Sequence, residues 1–248
     1  MVSVLRALLA LCLPTSLVRP LLNLLGWRLA AGARIGLAWV QAERLHMAPG
    51  ARIGHLNLVR LRRVAMREGA YLGRGNLLSG PLSLRMAEQA GIGNRNRVLR
   101  AARGVVSGPS VLRMGRLSKI TADHRLDCTC SVALGHYSTM AGAQTQLWTH
   151  GYVHGEQGHD RYRIDGQVII EDNVYIGSAC LISMGVRIGR GVIVGGGTAV
   201  SKSLPGPGMY VSSPVRALAR PADPDTRPDL ERLADPGLVE AVYRKRRP

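Results

Sequence analysis

The sequence predicts an all-β chain wound as a parallel β-helix of triangular cross-section, and three observations carry this. Six apolar residues recur six apart: Ile170, Ile176, Ile182, Ile188, Val194 and Val200. That period fits neither a strand nor an α-helix, but it is the repeat of a β-helix in which each hexad forms one side of the prism. Small residues, Gly177, Gly189 and Gly195, follow at the second position, where the expectation is a turn that glycine's backbone freedom permits. The composition agrees: 30 glycines, 4% aromatic residues and no Phe suit an interior with room for Ile, Val and Leu but little larger.

Residues 1–32 are predicted to be an N-terminal amphipathic helical segment. Met1 to Leu25 is mostly apolar, but Arg6, Pro14, Arg19 and Pro20 interrupt it. No run therefore approaches the roughly 20 residues of a membrane span. One or two helices broken near Pro14 could cap the open prism or lie on a membrane surface. A poor signal peptide is the third reading, although no small-x-small cleavage site follows the apolar run.

Residues 33–204 form the predicted prism. Ile35-Gly36 and Ile53-Gly54 stand 18 residues apart, one turn of three hexads. Leu72-Gly73 follows after a one-residue slip near Gly69, and Ile92-Gly93 comes next. Residues 98–117 are irregular, and order returns at Ile120 and Leu134-Gly135. The stretch 151–167 is polar, lacks the period and reads as a loop expelled from the coil, the place where a rigid scaffold commonly carries function. The hexads then run from Ile170, with Val174, Cys180, Val186, Val192 and Thr198 at the fifth position, to about Ser203. Leu204-Pro205-Gly206-Pro207-Gly208 breaks the pattern. Residues 205–248 are a C-terminal extension in which 230–246 could hold a short polar helix with Asp229 as N-cap.

Lys and Arg total 33 against 16 acids, a net charge of +17. Beyond solubility, this suits an anionic partner such as CoA phosphates, nucleotide-linked sugars or phospholipid headgroups. The cations are dispersed and stacking aromatics are few, which argues against nucleic acid. Of four cysteines, Cys128 and Cys130 lie too close along a strand to pair. No Cys/His cluster has zinc spacing. Reduced thiols and a cytoplasmic location, with contact at the inner membrane face as an option, are the expectation.

The residues from Ile120 to Thr129, Met140-Ala141-Gly142, Gln146 to His150, Val174-Tyr175-Ile176-Gly177 and Ser213-Pro214-Val215-Arg216 resemble the hexapeptide-repeat acyltransferases. The likeness covers about 35–220. Within the family it is closest to sugar and surface-polysaccharide O-acetyltransferases. The resemblance implies a left-handed β-helix, a homotrimer with active sites between neighbours, acetyl-CoA as acyl donor without a metal, and a sugar or glycolipid acceptor in surface-polysaccharide synthesis. It makes His150, in the Thr149-His150 pair, the general base. An imidazole, with a reference value of about 6.5, suits removal of a hydroxyl proton at neutral pH. A backbone N–H would stabilise the oxyanion. Asp127 matches an acidic position that orients the base or contacts the sugar; a turn residue is its plainer reading. His124 joins them as a catalytic candidate, although relatives more often carry Asn nearby. His154 is a rival base.

For CoA, the resemblance points to Ser178 and Gly196, which stand 18 residues apart, to Ser201-Lys202, and to Arg216 and Arg220. Gly196 replaces a usual Ala, and Arg220 is displaced by one residue. Cations suit the phosphates, and Arg adds a bidentate fork. The competing readings are a serine O-acetyltransferase, a non-catalytic β-helix assembly protein, and a γ-class carbonic anhydrase with His124, His150 and His154 around zinc.

Overall fold

The computed structural model describes residues 2–101, 108–157, 159–212, 224–228, 230–232 and 243–245. The chain divides into two units, Met1–Ser212 and Ser213–Pro248. The first is a β-solenoid of about nine parallel turns preceded by two short helices.

Three faces build the prism. The first stacks nine short strands from Arg34–Ile35 to Gly208–Tyr210. The second runs through Leu77–Ser79, Arg97–Leu99, Arg125–Asp127, Gln146–Leu147, Leu181–Ile182 and Ala199–Val200. The third runs through Ser83–Met86, Val111–Met114, Val132–Leu134, Val168–Ile170 and Arg187–Ile188. In the early coils, Leu58–Met66 is one long strand that pairs with both Leu77–Ser79 and Ser83–Met86, so it spans two faces. Turn length follows the expected slip: Arg34 pairs with Arg52, 18 residues on, whereas Arg52 pairs with Tyr71, 19 on.

The periodic residues all point inward. Ile170, Ile176, Ile182, Ile188, Val194 and Val200 are at most 3% exposed, and one continuous core joins them to Leu22 and Trp27 at the opposite end. Each such burial stabilises by roughly 1.5–3 kcal/mol.

The glycines after them serve a purpose other than the one expected. Gly177, Gly189 and Gly195 do not adopt positive φ; that conformation belongs to Gly185, Gly191 and Gly197. Side-chain volume is what excludes other residues: a Cβ on Gly177 would lie 2.6 Å from Gly196 N, and one on Gly189 2.4 Å from Gly206 N. Consecutive coils touch through these backbones. Gly93 is a severe case, its Cβ falling 2.1 Å from Thr121 O. Gly93→Ala is therefore expected to destabilise by about 1–3 kcal/mol, read as a lower urea midpoint with an unchanged m-value.

Two further elements differ from expectation. The stretch 151–167 is not a plain loop: His150–Val153 and Tyr162–Asp165 pair as an antiparallel hairpin leaving the corner between the second and third faces. In the second unit, Leu230–Arg232 and Tyr243–Lys245 pair antiparallel, so these ends of the predicted helix are strands; Asp229 lies outside the described residues. Among the described residues no helix is long and apolar enough to cross a membrane. The helices Val2–Cys12 and Thr15–Leu24 are separated at Pro14.

Candidate active site

The hairpin root is fixed by the coil below it. Asp127 ends its strand on the second face, and its carboxylate collects donors from two directions. Thr129 donates from its N (3.3 Å) and Oγ1 (2.8 Å) to Oδ1. Thr149 donates from its N (3.0 Å) and Oγ1 (2.7 Å) to Oδ2. His150 Nδ1 lies 2.9 Å from the same Oδ2. Burial pushes the Asp127 carboxyl up, but the bonds from Thr149, His150 and Thr129 outweigh it and hold the group below its ordinary value. Asp127 is thus a carboxylate at neutral pH and accepts from His150 Nδ1–H. That fixes the tautomer and leaves Nε2 with its lone pair outward. The His150 side chain keeps 26% of its surface exposed, against 11% for Asp127.

Aromatic rings frame the imidazole. Trp148 and Tyr152 stand edge-to-face to it at 6.2 and 6.1 Å, and both are exposed. Tyr152 was not singled out from sequence. The signal was present, since three of only ten aromatic residues, Trp148, Tyr152 and Tyr162, fall within this hairpin and its root. Below them, Gly151 faces the end of the Met184 side chain on the next coil, a Cβ there lying 2.2 Å from its terminal methyl. His154 is exposed beside Tyr152, and no carboxylate partner is described for it.

His124 is not part of this site, a correction to the sequence expectation. It is fully buried in a corner column that precedes each strand of the second face: Asn57, Asn76, Asn96, His124, Thr145, Cys180, Thr198. Asn76 N and Nδ2 donate to Asn57 Oδ1, Asn96 N to Asn76 Oδ1, and His124 N to Asn96 Oδ1. His124 Nδ1 accepts from Thr145 N at 3.1 Å, so Nε2 carries the proton toward Thr121 Oγ1 at 3.0 Å. Both ring nitrogens are committed to the scaffold.

Burial lowers the His124 imidazole to about 4, Asp123 and the Met140 carbonyl opposing only in part. Between about 6.5 and 4 the unfolded chain binds a proton that the folded chain refuses. Stability therefore falls as pH drops through that window, by on the order of 3 kcal/mol. His124→Asn extends the Asn column. It is expected to retain activity and to flatten this part of the pH dependence of the urea midpoint.

The residues assigned to CoA fall on two edges of the second face. Ser178 lies between Gly142 and Gly196 at one corner: a Cβ on Gly142 would overlap Ser178 Oγ, and one on Gly196 would sit 3.3 Å from Ser178 O. The collision at Gly142 excludes a side chain there, whereas at Gly196 the fit is tight but not closed. Ser201 and Lys202 occupy the other edge, in register with Trp148 and Thr149 through Ile182, two coils or about 10 Å along the prism from the His150 root. Arg216 and Arg220 lie outside the described residues. A concavity of about 730 Å³ lies elsewhere, on the third face beside Arg85, Arg113, Arg187 and Arg190, and His150 does not line it. Nor do the three histidines weighed for zinc converge: among the described residues no three His, Cys, Asp or Glu side chains come together as a metal set.

The sequence profile of the hexapeptide repeat of succinyl-transferase matches residues 167–202. The chain is 37% identical over 81 residues to YvoF of Bacillus subtilis, assigned as an acetyltransferase, covering 33% of this chain and 44% of YvoF. It is 34% identical over 64 residues to a 2,3,4,5-tetrahydropyridine-2,6-dicarboxylate N-acetyltransferase of Staphylococcus aureus, covering 25% of this chain and 27% of that protein. The chain spans under half the length of either relative. Among solved structures, the polysialic acid O-acetyltransferase OatWY aligns over 81% of this chain and 92% of its own, with 14% identity and a TM-score of 0.49. The polySia-specific acetyltransferase NeuO aligns over 79% and 75%, with 18% identity and a TM-score of 0.47.

Proposed function

As a member of the hexapeptide-repeat acyltransferase family, this chain is, we propose, an acetyl-CoA-dependent O-acetyltransferase acting on a hydroxyl of a sugar or glycolipid in surface-polysaccharide synthesis. The observation that carries the reading is the Asp127–His150 pair, 2.9 Å apart, at the root of a hairpin edged with aromatic rings. His150 Nε2 takes the proton of the acceptor hydroxyl as its oxygen attacks the thioester carbonyl. The tetrahedral centre collapses with loss of the CoA thiolate, which takes that proton back from the imidazolium. Asp127 holds the imidazole and stabilises its charged form without itself being protonated. No acyl-enzyme is formed.

A sugar ring presents C–H groups on one face and hydroxyls at its edge. Trp148 and Tyr152 offer surfaces for the first, and His150 for the second. The small-residue column at Gly142, Ser178 and Gly196 suits a pantetheine arm, and Lys202 suits the phosphates, with Arg216 and Arg220 assigned to the same role. A homotrimer with prisms side by side completes the proposal. Tyr175, Ile193 and Met209 support it, forming an exposed column on the first face of the kind that packs against a neighbour. The reading places the enzyme in the cytoplasm, where acyl-CoA is available and thiols stay reduced. Of the expected division into 1–32, 33–204 and 205–248, the last boundary moves, because Gly208–Tyr210 still pairs with Val192–Val194 within the first unit, Met1–Ser212.

Acyl transfer to an amine is the second reading, favoured by the stretch of identity to an N-acetyltransferase. Hydroxylamine separates the two. The acetyl group of the product should be released under mild conditions, as from an ester; a resistant product is an amide and would replace the O-acetyl assignment.

A further inference from the structure

We infer that the outer face of the two N-terminal helices docks on an anionic phospholipid surface. The inner faces of these helices close the open end of the prism. Thr15 Oγ1 bonds both Ile35 N (2.8 Å) and Ile35 O (2.9 Å), and Asn23 bonds Leu29 N (2.7 Å) and Leu29 O (3.1 Å). Trp27 Nε1 donates to Ala42 O at 3.3 Å. Thr15, Val18 and Leu22 are buried beneath the second helix. These contacts satisfy the unpaired backbone edge of the first coil, and a cap needs no more than that.

The opposite side is apolar as well. Leu17, Leu21 and Leu24 share one helical face, pointing away from the core, and are 73%, 44% and 83% exposed. Leu5 and Leu8 of the first helix and Leu13 of the connection are 47%, 45% and 45% exposed. A capping helix in water ordinarily turns polar residues outward. Here aliphatic residues hold the solvent side of both helices, and scattered single exposures do not produce that pattern.

Charge selects the occupant. Residues 1–42 contain four arginines, Arg6, Arg19, Arg28 and Arg34, and no Asp, Glu or Lys. Arg28 and Arg34 are exposed and Arg19 partly so, and no carboxylate partner is described for any of them. Two copies meeting end to end would bring arginine against arginine, and Glu43, whose carbonyl accepts from Arg6, already has Arg62 beside its carboxylate. An anionic bilayer offers hydrocarbon to the leucines and phosphate to the arginines at one boundary. Neither helix is long enough to span, so the contact is interfacial.

Flotation of the full-length protein with vesicles tests this without any turnover, so its outcome is separate from that of the acyltransferase reading. Vesicles of phosphatidylcholine with about one-third phosphatidylglycerol should carry the protein, pure phosphatidylcholine should carry it at least several-fold less, and raising NaCl to about 0.5 M should release most of it. The double variant Leu17→Gln/Leu24→Gln changes only highly exposed positions. It should keep its thermal midpoint and lose at least tenfold in partitioning, and Arg19→Gln/Arg28→Gln should lose affinity for the anionic vesicles alone. The proposal is overturned by failure to float with anionic vesicles, by equal flotation with both lipid mixtures, or by a Leu17→Gln/Leu24→Gln protein that folds and floats like the wild type. Sedimentation showing end-to-end self-association that this variant abolishes, with no vesicle binding, would assign the face to a second copy instead.

Discussion

His150→Ala is expected to lower kcat by about 10²–10⁴-fold, the range that a positioned general base supplies, with little change in stability. The side chain sits at the hairpin root, about a quarter exposed, so its removal leaves no cavity in the prism core. Steady-state kinetics with saturating acetyl-CoA, alongside a thermal melt, provide the check. Loss of kcat with KM for acetyl-CoA retained is the pattern for a group acting on the acceptor proton. If His154 were the base instead, His150→Ala would keep most of its kcat and His154→Ala would lose it.

Asp127→Asn should show two effects at once. An amide at this position cannot accept the Thr149 N, Thr149 Oγ1 and His150 Nδ1 bonds that converge on Oδ2 with a full negative charge, and a rotated amide would present a donor to His150. Either arrangement disturbs the tautomer that leaves Nε2 basic. The expected loss in kcat is about 10²-fold or more. Stability should also fall by about 1–3 kcal/mol, because donors buried around the carboxylate lose their charged acceptor. The pH sign follows from the lowered Asp127 value. Its stabilisation is fully present above the unfolded carboxylate value of about 3.9 and is lost as pH falls through the lower folded value. The variant should therefore be the less acid-sensitive of the two, even though it is the less stable at neutral pH. A kcat unchanged in Asp127→Asn would reduce this residue to a turn former.

The prism was legible because inward-facing residues of a triangular coil repeat by count, and Ile170 to Val200 count without a break. The reason for the glycines was not legible. Whether Gly177 is needed for positive φ or for contact with Gly196 depends on which coil lies above it. His124 misled for a related reason. Its column partners Asn96 and Thr145 lie 28 and 21 residues away, because successive middle coils pair at uneven intervals, Arg97 with Arg125 and Arg125 with Gln146. In a list of titratable residues, a histidine beside Asp127 suggests chemistry; in the fold it is one rung of a ladder built mostly from Asn and Thr. The Asp127–His150 pairing is also a contact across coils, and family resemblance rather than spacing pointed to it. The leucines facing outward near the N-terminus could not be told from core leucines by sequence, since each helix is apolar on two sides.

The central claim is that this prism moves an acetyl group from CoA to a carbohydrate hydroxyl through His150. Mass spectrometry of a panel of sugars, nucleotide sugars and lipid-linked glycans, each incubated with isotope-labelled acetyl-CoA and the full-length protein, tests it most directly. Wild-type protein should place one labelled acetyl group on a carbohydrate acceptor and, over the same interval, His150→Ala almost none. A panel left unlabelled by wild type, or labelled equally fast by His150→Ala, would contradict it.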